Sequence, residues 1–411
     1  MLSSRVDWLV AQAVLVALVL ARGGVAAERL QVEVQETGGW FRPAYPCTLT
    51  LDRPSASEPL HFRLLDETAC PINMQVDAED HGRTTRWRLA FSLTLEPRQL
   101  RVLTLEVGGD VTASPKRHQG HVLEAAGGVL KIINAPHLVW TIPAQLGPCL
   151  QSLEFGGQEH LKGPTAKLVL KTRSGLSLSL GGAQAPDWKP VRRGPLAVTL
   201  HGRQTVLADK STPIINHVEL DFPVSRSWVR LDWQVDDPDD RIAEIRFEVD
   251  LNLDPSTPAV PSLVDFGAGT WVYSRLRSGE MAVLETQRSG IGSPVPTAAW
   301  RVWRGTAKAS RVFVVSHPER PVRAEGWVHL MDRKRCLALA VDGFGREHLE
   351  SIRATAEGGV RVRRVFASWK SGVAHRKSFR IWLHFVGFPP QQSAATSPRH
   401  LQTPPAVRVL R

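Results

Sequence analysis

The sequence predicts an all-β fold in two domains. Three observations lead there. Period-two alternation of apolar and polar residues recurs in short runs, as in Leu30 to Val34, Leu196 to Leu207 and Ile242 to Leu253. Turn residues such as Asp80-His81-Gly82, Glu96-Pro97 and Gly127-Gly128 separate the runs. After residue 27, no amphipathic helical pattern exceeds about three turns, and only Arg346 to Ala354 could form a short helix.

Residues 1–27 read as a secretory signal. Arg5 supplies the positive start, Trp8 to Leu20 the apolar stretch, and Val25-Ala26-Ala27 the small residues before a cut at Glu28. The apolar run is short for a bilayer span, which needs about 20 residues. The expected location is therefore secreted, periplasmic or cell envelope, with no membrane association after cleavage.

Residues 28–110 form the small N-terminal domain. Its strands are Leu30 to Val34, Thr48 to Leu51, Leu60 to Leu65, Trp87 to Leu95 and Leu100 to Val107, and their spacing suits a small barrel or a sandwich. Gly108-Gly109-Asp110 and the polar run to Gly120 read as a linker. Residues 121–388 continue the β pattern on a larger scale. They include the acidic turn Asp236 to Asp240 and a hairpin, Trp327 to Val341, that turns at Asp332 to Arg335 and breaks at Asp342-Gly343-Phe344-Gly345. Residues 389–411 are rich in Pro, Ser, Gln and Ala and read as a disordered tail.

Charge is unevenly placed. The 411 residues carry 51 Lys and Arg against 40 Asp and Glu, a net +11. Residues 301–411 hold 21 basic and 7 acidic residues, a balance of +14, so the first 300 residues carry −3. A basic region calls for an anionic partner. In an exported chain that means acidic polysaccharide or envelope, and not nucleic acid. Tryptophan is abundant, 13 against 2 Tyr, and serves both as core volume and as a platform for sugar faces. The spacings of Cys47, Cys70, Cys149 and Cys336 match no zinc site. They leave open two disulfides, with Cys47 and Cys70 the closest pair in sequence, or buried free thiols.

Two sets of residues resemble the exo-rhamnogalacturonan lyase family. Leu64-Leu65-Asp66-Glu67, Pro71, Gln75-Val76, Arg86-Trp87 through Phe91 and Leu103 to Gly108 resemble its N-terminal RIFT-type barrel. Val229 to Trp233, Ile245 to Phe247 and Gly326 to Asp332 resemble strands of its central β-sandwich. Departures occur at Ala69-Cys70, where the family has Gly, at Thr104, where it has Tyr, and at Gly343, Gly345 and Glu347-His348, where it is aromatic or basic. The resemblance implies a small RIFT-type β-barrel followed by a large β-sandwich. The family's (α/α) toroid has no counterpart in the helical periodicity of this sequence, so a separate toroid subunit is an expected partner.

A lyase needs a base and a cation that neutralises a uronate carboxylate. Candidates for catalysis are His329, Tyr273 and Arg275. The residue between Val328 and Leu330 reads more simply as an outward polar side chain. Candidates for binding are Arg301, Trp303, Trp327, Asp332 and Arg333. In Ala299-Trp300-Arg301-Val302-Trp303-Arg304, alternation puts Arg301 and Trp303 on one face and Trp300 and Val302 on the other. The acidic turn has no EF-hand spacing and reads as turn chemistry. No metal or cofactor is expected, and no nucleophile elbow, phosphate loop or dinucleotide fingerprint is present. The expected function is binding of an acidic polysaccharide such as a pectic glycan. The alternatives are an active or split lyase, and an envelope protein without a glycan role.

Overall fold

The computed structural model describes residues 27–55, 59–115, 120–134, 137–182, 185–207, 212–224, 226–253, 262–269, 271–290, 296–320, 322–368, 375–386 and 398–410. Residues 1–26 of the predicted export signal and residues 389–397 and 411 of the predicted tail lie outside them. The chain divides into a small unit, residues up to 117 with 405–411, and a large unit, residues 118–404.

The small unit is built from two antiparallel sheets. One has the strand order 406–410, 28–35, 100–108, 61–65, 71–72, and the other 42–54, 84–95, 74–80. Alternation places Val32, Val34, Leu49, Phe62, Leu64, Leu89, Phe91, Leu103 and Leu105 in one core. The expected RIFT-type barrel is not closed: the sheets keep separate edges. Proline sits at those edges, Pro43 and Pro46 in the 42–54 strand and Pro71 in the two-residue strand. A proline has no N–H to extend the ladder.

The linker and the tail need correction. Ser114, expected in the linker, donates its N–H to Phe62 O at 2.9 Å and accepts Leu64 N–H on Oγ at 2.8 Å. Part of the predicted disordered tail is ordered. Arg399–Gln402 is a one-turn helix, and Ala406–Leu410 pairs antiparallel with Glu28–Gln35 from Gln31↔Leu410 to Gln35↔Ala406. Ala-Val-Arg-Val-Leu alternates, and Val407 and Val409 pack on the small core. Composition averaged over 389–411 hides this short strand.

The large unit has a five-stranded sheet (158–159, 152–155, 138–143, 129–134, 122–126), an eight-stranded sheet (177–179, 167–172, 242–250, 359–365, 349–355, 281–288, 296–305, 310–315) and a nine-stranded sheet (189–193, 197–206, 214–223, 228–237, 375–386, 336–341, 327–331, 262–267, 271–276). The inner residues of all three share one continuous core, including Trp140, Trp233, Phe247, Ile352 and Phe385. The molecule is an all-β protein whose large unit is a sandwich. The possible helix at Arg346 to Ala354 is instead the strand Leu349–Thr355, because Ile352 and Ala354 fall on the inner face and both flanks are paired.

In the acidic turn, Asp237 and Asp240 accept the Lys377 ammonium at 2.5 and 2.9 Å, so a lysine from a strand distant in sequence balances the turn. All four cysteines are free thiols, with Cys70 exposed and the others buried. Burial pushes the Cys47 thiol up to about 12, which makes it unreactive.

His160 is fully buried beside the rings of Phe155 and Phe385, and its Nδ1 has no hydrogen-bond partner among the described residues. Burial and then the nearby Arg335 push its pKa from 6.5 down to about 4. The unfolded chain takes up a proton below pH 6.5 that the folded chain refuses until pH 4. Through this group stability should fall between those limits by about 1.4 kcal/mol per pH unit. Urea unfolding across that window checks it, and His160→Phe should flatten the slope.

Candidate functional site

The predicted residues fall on two different sheets. On the nine-stranded sheet, Tyr273, Asp265 and His329 form one row across adjacent strands. His329 Nδ1 lies 3.6 Å from Asp265 Oδ2, and the two residues are only 4% and 2% exposed. His329 does face away from the core, where Val328 and Leu330 sit, but it is enclosed there, with the Trp327 ring 5.0 Å away. Along the same row His384 is held down at about 3 by burial, then by His400, His329 and Arg226, so it is neutral.

Trp327, expected to bind a ligand, is fully buried and unavailable to one. It packs with Trp228, Ala340, Trp382 and Leu401, and its Nε1 donates to Glu325 at 2.7 Å. The 399–402 helix covers this cluster. Leu401 enters it, and Gln402 Nε2 donates to Glu325 O and Val341 O, each at 2.7 Å. Asp332 shapes its own turn by accepting the N–H groups of Lys334 and Arg335 at 2.7 Å. Tyr273, Arg275 and Arg333 are exposed, and the structure brings none of them together with Arg301 and Trp303.

Arg301 and Trp303 sit on the outer face of the eight-stranded sheet, with Trp300 and Val302 buried behind them. Register sets the composition of that face. One row runs Val169, Arg246, Arg363, Ser351, Glu285, Arg301 across the strands. The next runs Lys167, Glu248, Arg361, Arg353, Val283, Trp303. Five arginines thus share the surface with Glu244, Glu248 and Glu285. Arg301 Nε donates to Glu285 and Arg363 Nε to Glu244, each at 2.5 Å. Arg246 lies 3.2 Å from Glu244 and 3.6 Å from Glu248, and Arg361 lies 3.8 Å from Glu248.

A cavity of about 520 Å³ opens on this face, lined by Glu285, Gln287, Arg288, Arg301, Ser351 and Arg363 among others. That volume suits a small polar ligand. Side chains of Arg301, Arg361 and Arg363 are about half exposed, at 45%, 49% and 50%. The face can therefore bind an anion through guanidinium groups beside the half-buried indole of Trp303. Sequence reasoning found Arg301 and Trp303 but missed Arg353, Arg361 and Arg363. The signal was present in the alternating Arg361-Val362-Arg363, whose valine is core and whose arginines face out.

Comparisons with known proteins bear on the fold. No family model matches the chain, and no curated protein matches it in sequence. Among solved structures it is similar to a protein in the glycosyl hydrolase family 38 from Enterococcus faecalis, at 9% identity and a TM-score of 0.60, over 93% of this chain and 47% of that one. It is also similar to an alpha-mannosidase from Enterococcus faecalis V583, at 11% identity and a TM-score of 0.55, over 93% of this chain and 46% of that one. The chain spans about half the length of these structures. At such identities the likeness is one of fold.

Proposed function

We propose that this chain is a carbohydrate-binding β protein that takes an acidic polysaccharide, such as a pectic glycan, on the outer face of the eight-stranded sheet. The observation that carries the reading is the placement of Trp303, Arg301, Arg353, Arg361 and Arg363 in two adjacent rows of one sheet face, with Arg301 and Arg363 also lining its polar cavity. The fold likeness to two glycosidase-related structures supports the carbohydrate part. The strand signatures resembling rhamnogalacturonan lyases point the same way, and the signal-like stretch at 1–27 supports a secreted or envelope location. Binding is preferred over β-elimination because the candidate catalytic residues His329, Tyr273 and Arg275 do not line the cavity.

Affinity gels with polygalacturonate, rhamnogalacturonan and a neutral glucan test this reading. Retention on the acidic polymers is expected to fall steeply with salt. Trp303→Ala and Arg301→Gln should each weaken it about tenfold, the loss of one stacking platform or one charge-assisted contact. Equal, negligible retention on all polymers overturns the reading. Retention unchanged by both substitutions would favour an envelope protein without a glycan role at this face.

A further inference from the structure

Arg353 and Arg361 stand directly opposite each other in the hairpin of Leu349–Thr355 and Gly359–Val365. Like charges in directly opposed positions destabilise a sheet pair. Glu248 lies 3.8 Å from Arg361 and is shared with Arg246 at 3.6 Å. Arg353 Nε is buried and has no hydrogen-bond partner among the described residues. Burial and then Arg361 lower the pKa of Arg353 from its ordinary value, with Glu248 opposing them. Arg246 is also served by Glu244 at 3.2 Å, so the facing pair Arg353 and Arg361 has Glu248 as its one described neighbouring carboxylate. A structural ion-pair network would have matched these charges.

We propose that Arg353 and Arg361 form an oxyanion subsite that receives the carboxylate or sulfate of an acidic sugar. The inference rests on the reading of this face as a glycan-binding surface. An oxyanion held by the accessible guanidinium nitrogens relieves the repulsion between the two cations. The same row continues through Val283 to Trp303, two strands away from Arg353. Strands spaced about 4.8 Å apart put these two residues roughly 10 Å apart, so one oligosaccharide can reach both.

The test uses the full chain and its variants Arg353→Gln, Arg361→Gln and, as a control on the edge strand, Arg311→Gln. Calorimetric titrations employ polygalacturonate, dextran sulfate and neutral dextran, and thermal shifts compare sodium sulfate with sodium chloride at equal ionic strength. Arg353→Gln and Arg361→Gln should each lower affinity for an acidic polymer at least about tenfold, while Arg311→Gln leaves it near wild type. Without ligand, Arg361→Gln should unfold about 1–2 °C higher than wild type, the sign of relieved repulsion. Which polymer binds more tightly tells carboxylate from sulfate. Acidic-polymer binding that Arg353→Gln and Arg361→Gln leave intact, or that all three variants weaken alike, overturns the subsite and spares the wider reading. Sulfate-specific stabilisation lost in Arg353→Gln, with no polymer bound by wild type, keeps the subsite and removes the polysaccharide reading.

Discussion

Lys377→Met is expected to destabilise the large unit by about 3–5 kcal/mol. Lys377 and Asp237 are 3% and 2% exposed, and their charged groups meet at 2.5 Å. The same ammonium reaches Asp240 at 2.9 Å. Methionine keeps most of the volume and removes the charge, so the buried Asp237 carboxylate is left with the backbone N–H groups of Arg241 and Ile242, at 3.0 and 2.7 Å, as its described partners. Stranding one charge of a buried pair costs far more than losing an exposed pair, which is worth about 0–1 kcal/mol. Equilibrium denaturation measures the difference. The double variant Asp237→Asn with Lys377→Met should recover part of the loss, because the carboxylate charge leaves with the ammonium. A single-variant loss below about 1 kcal/mol would mean that water or backbone motion solvates Asp237.

Gly326→Ala should cost the large unit about 3 kcal/mol, from the left-handed backbone penalty together with overpacking. Gly326 has φ +74°, and a Cβ built on it would lie 2.0 Å from the Cβ of Phe344. Phe344 is 4% exposed and belongs to the main core. The site is held from both sides, since Gly326 N–H donates to Gly267 O at 3.0 Å and its carbonyl accepts Val341 N–H at 2.9 Å. Neither the backbone nor the ring can yield cheaply. Combining Gly326→Ala with Phe344→Ala should be clearly less destabilising than the sum of the single changes, because the two residues compete for one space. Additive losses would place the strain in the backbone alone.

Local alternation made much of the β structure legible. Ile242 to Leu253 was read as a strand, and Glu244, Arg246 and Glu248 do face out while Ile245, Phe247 and Val249 face the core. Arg301 and Trp303 share the outer face for the same reason. The Trp327 hairpin was legible too, but not its burial, which comes from Leu401 packing on it from far along the chain. Averaged composition failed at Ala406–Leu410, a five-residue strand inside a polar segment. At Leu349–Thr355 the possible helical reading lost to pairing with both neighbouring strands.

By itself the sequence determined the all-β class, the inward and outward alternation of each strand, and the concentration of positive charge after residue 300. These follow from local periodicity and composition, which are properties of adjacent residues. The tertiary structure alone decided that the small unit stays open instead of closing as a barrel, that Lys377 answers Asp237, and that arginines from three regions line one face with Trp303. Those outcomes depend on sheet order and register between segments far apart in the chain. A shift of one residue in register would send the same arginines to the opposite face.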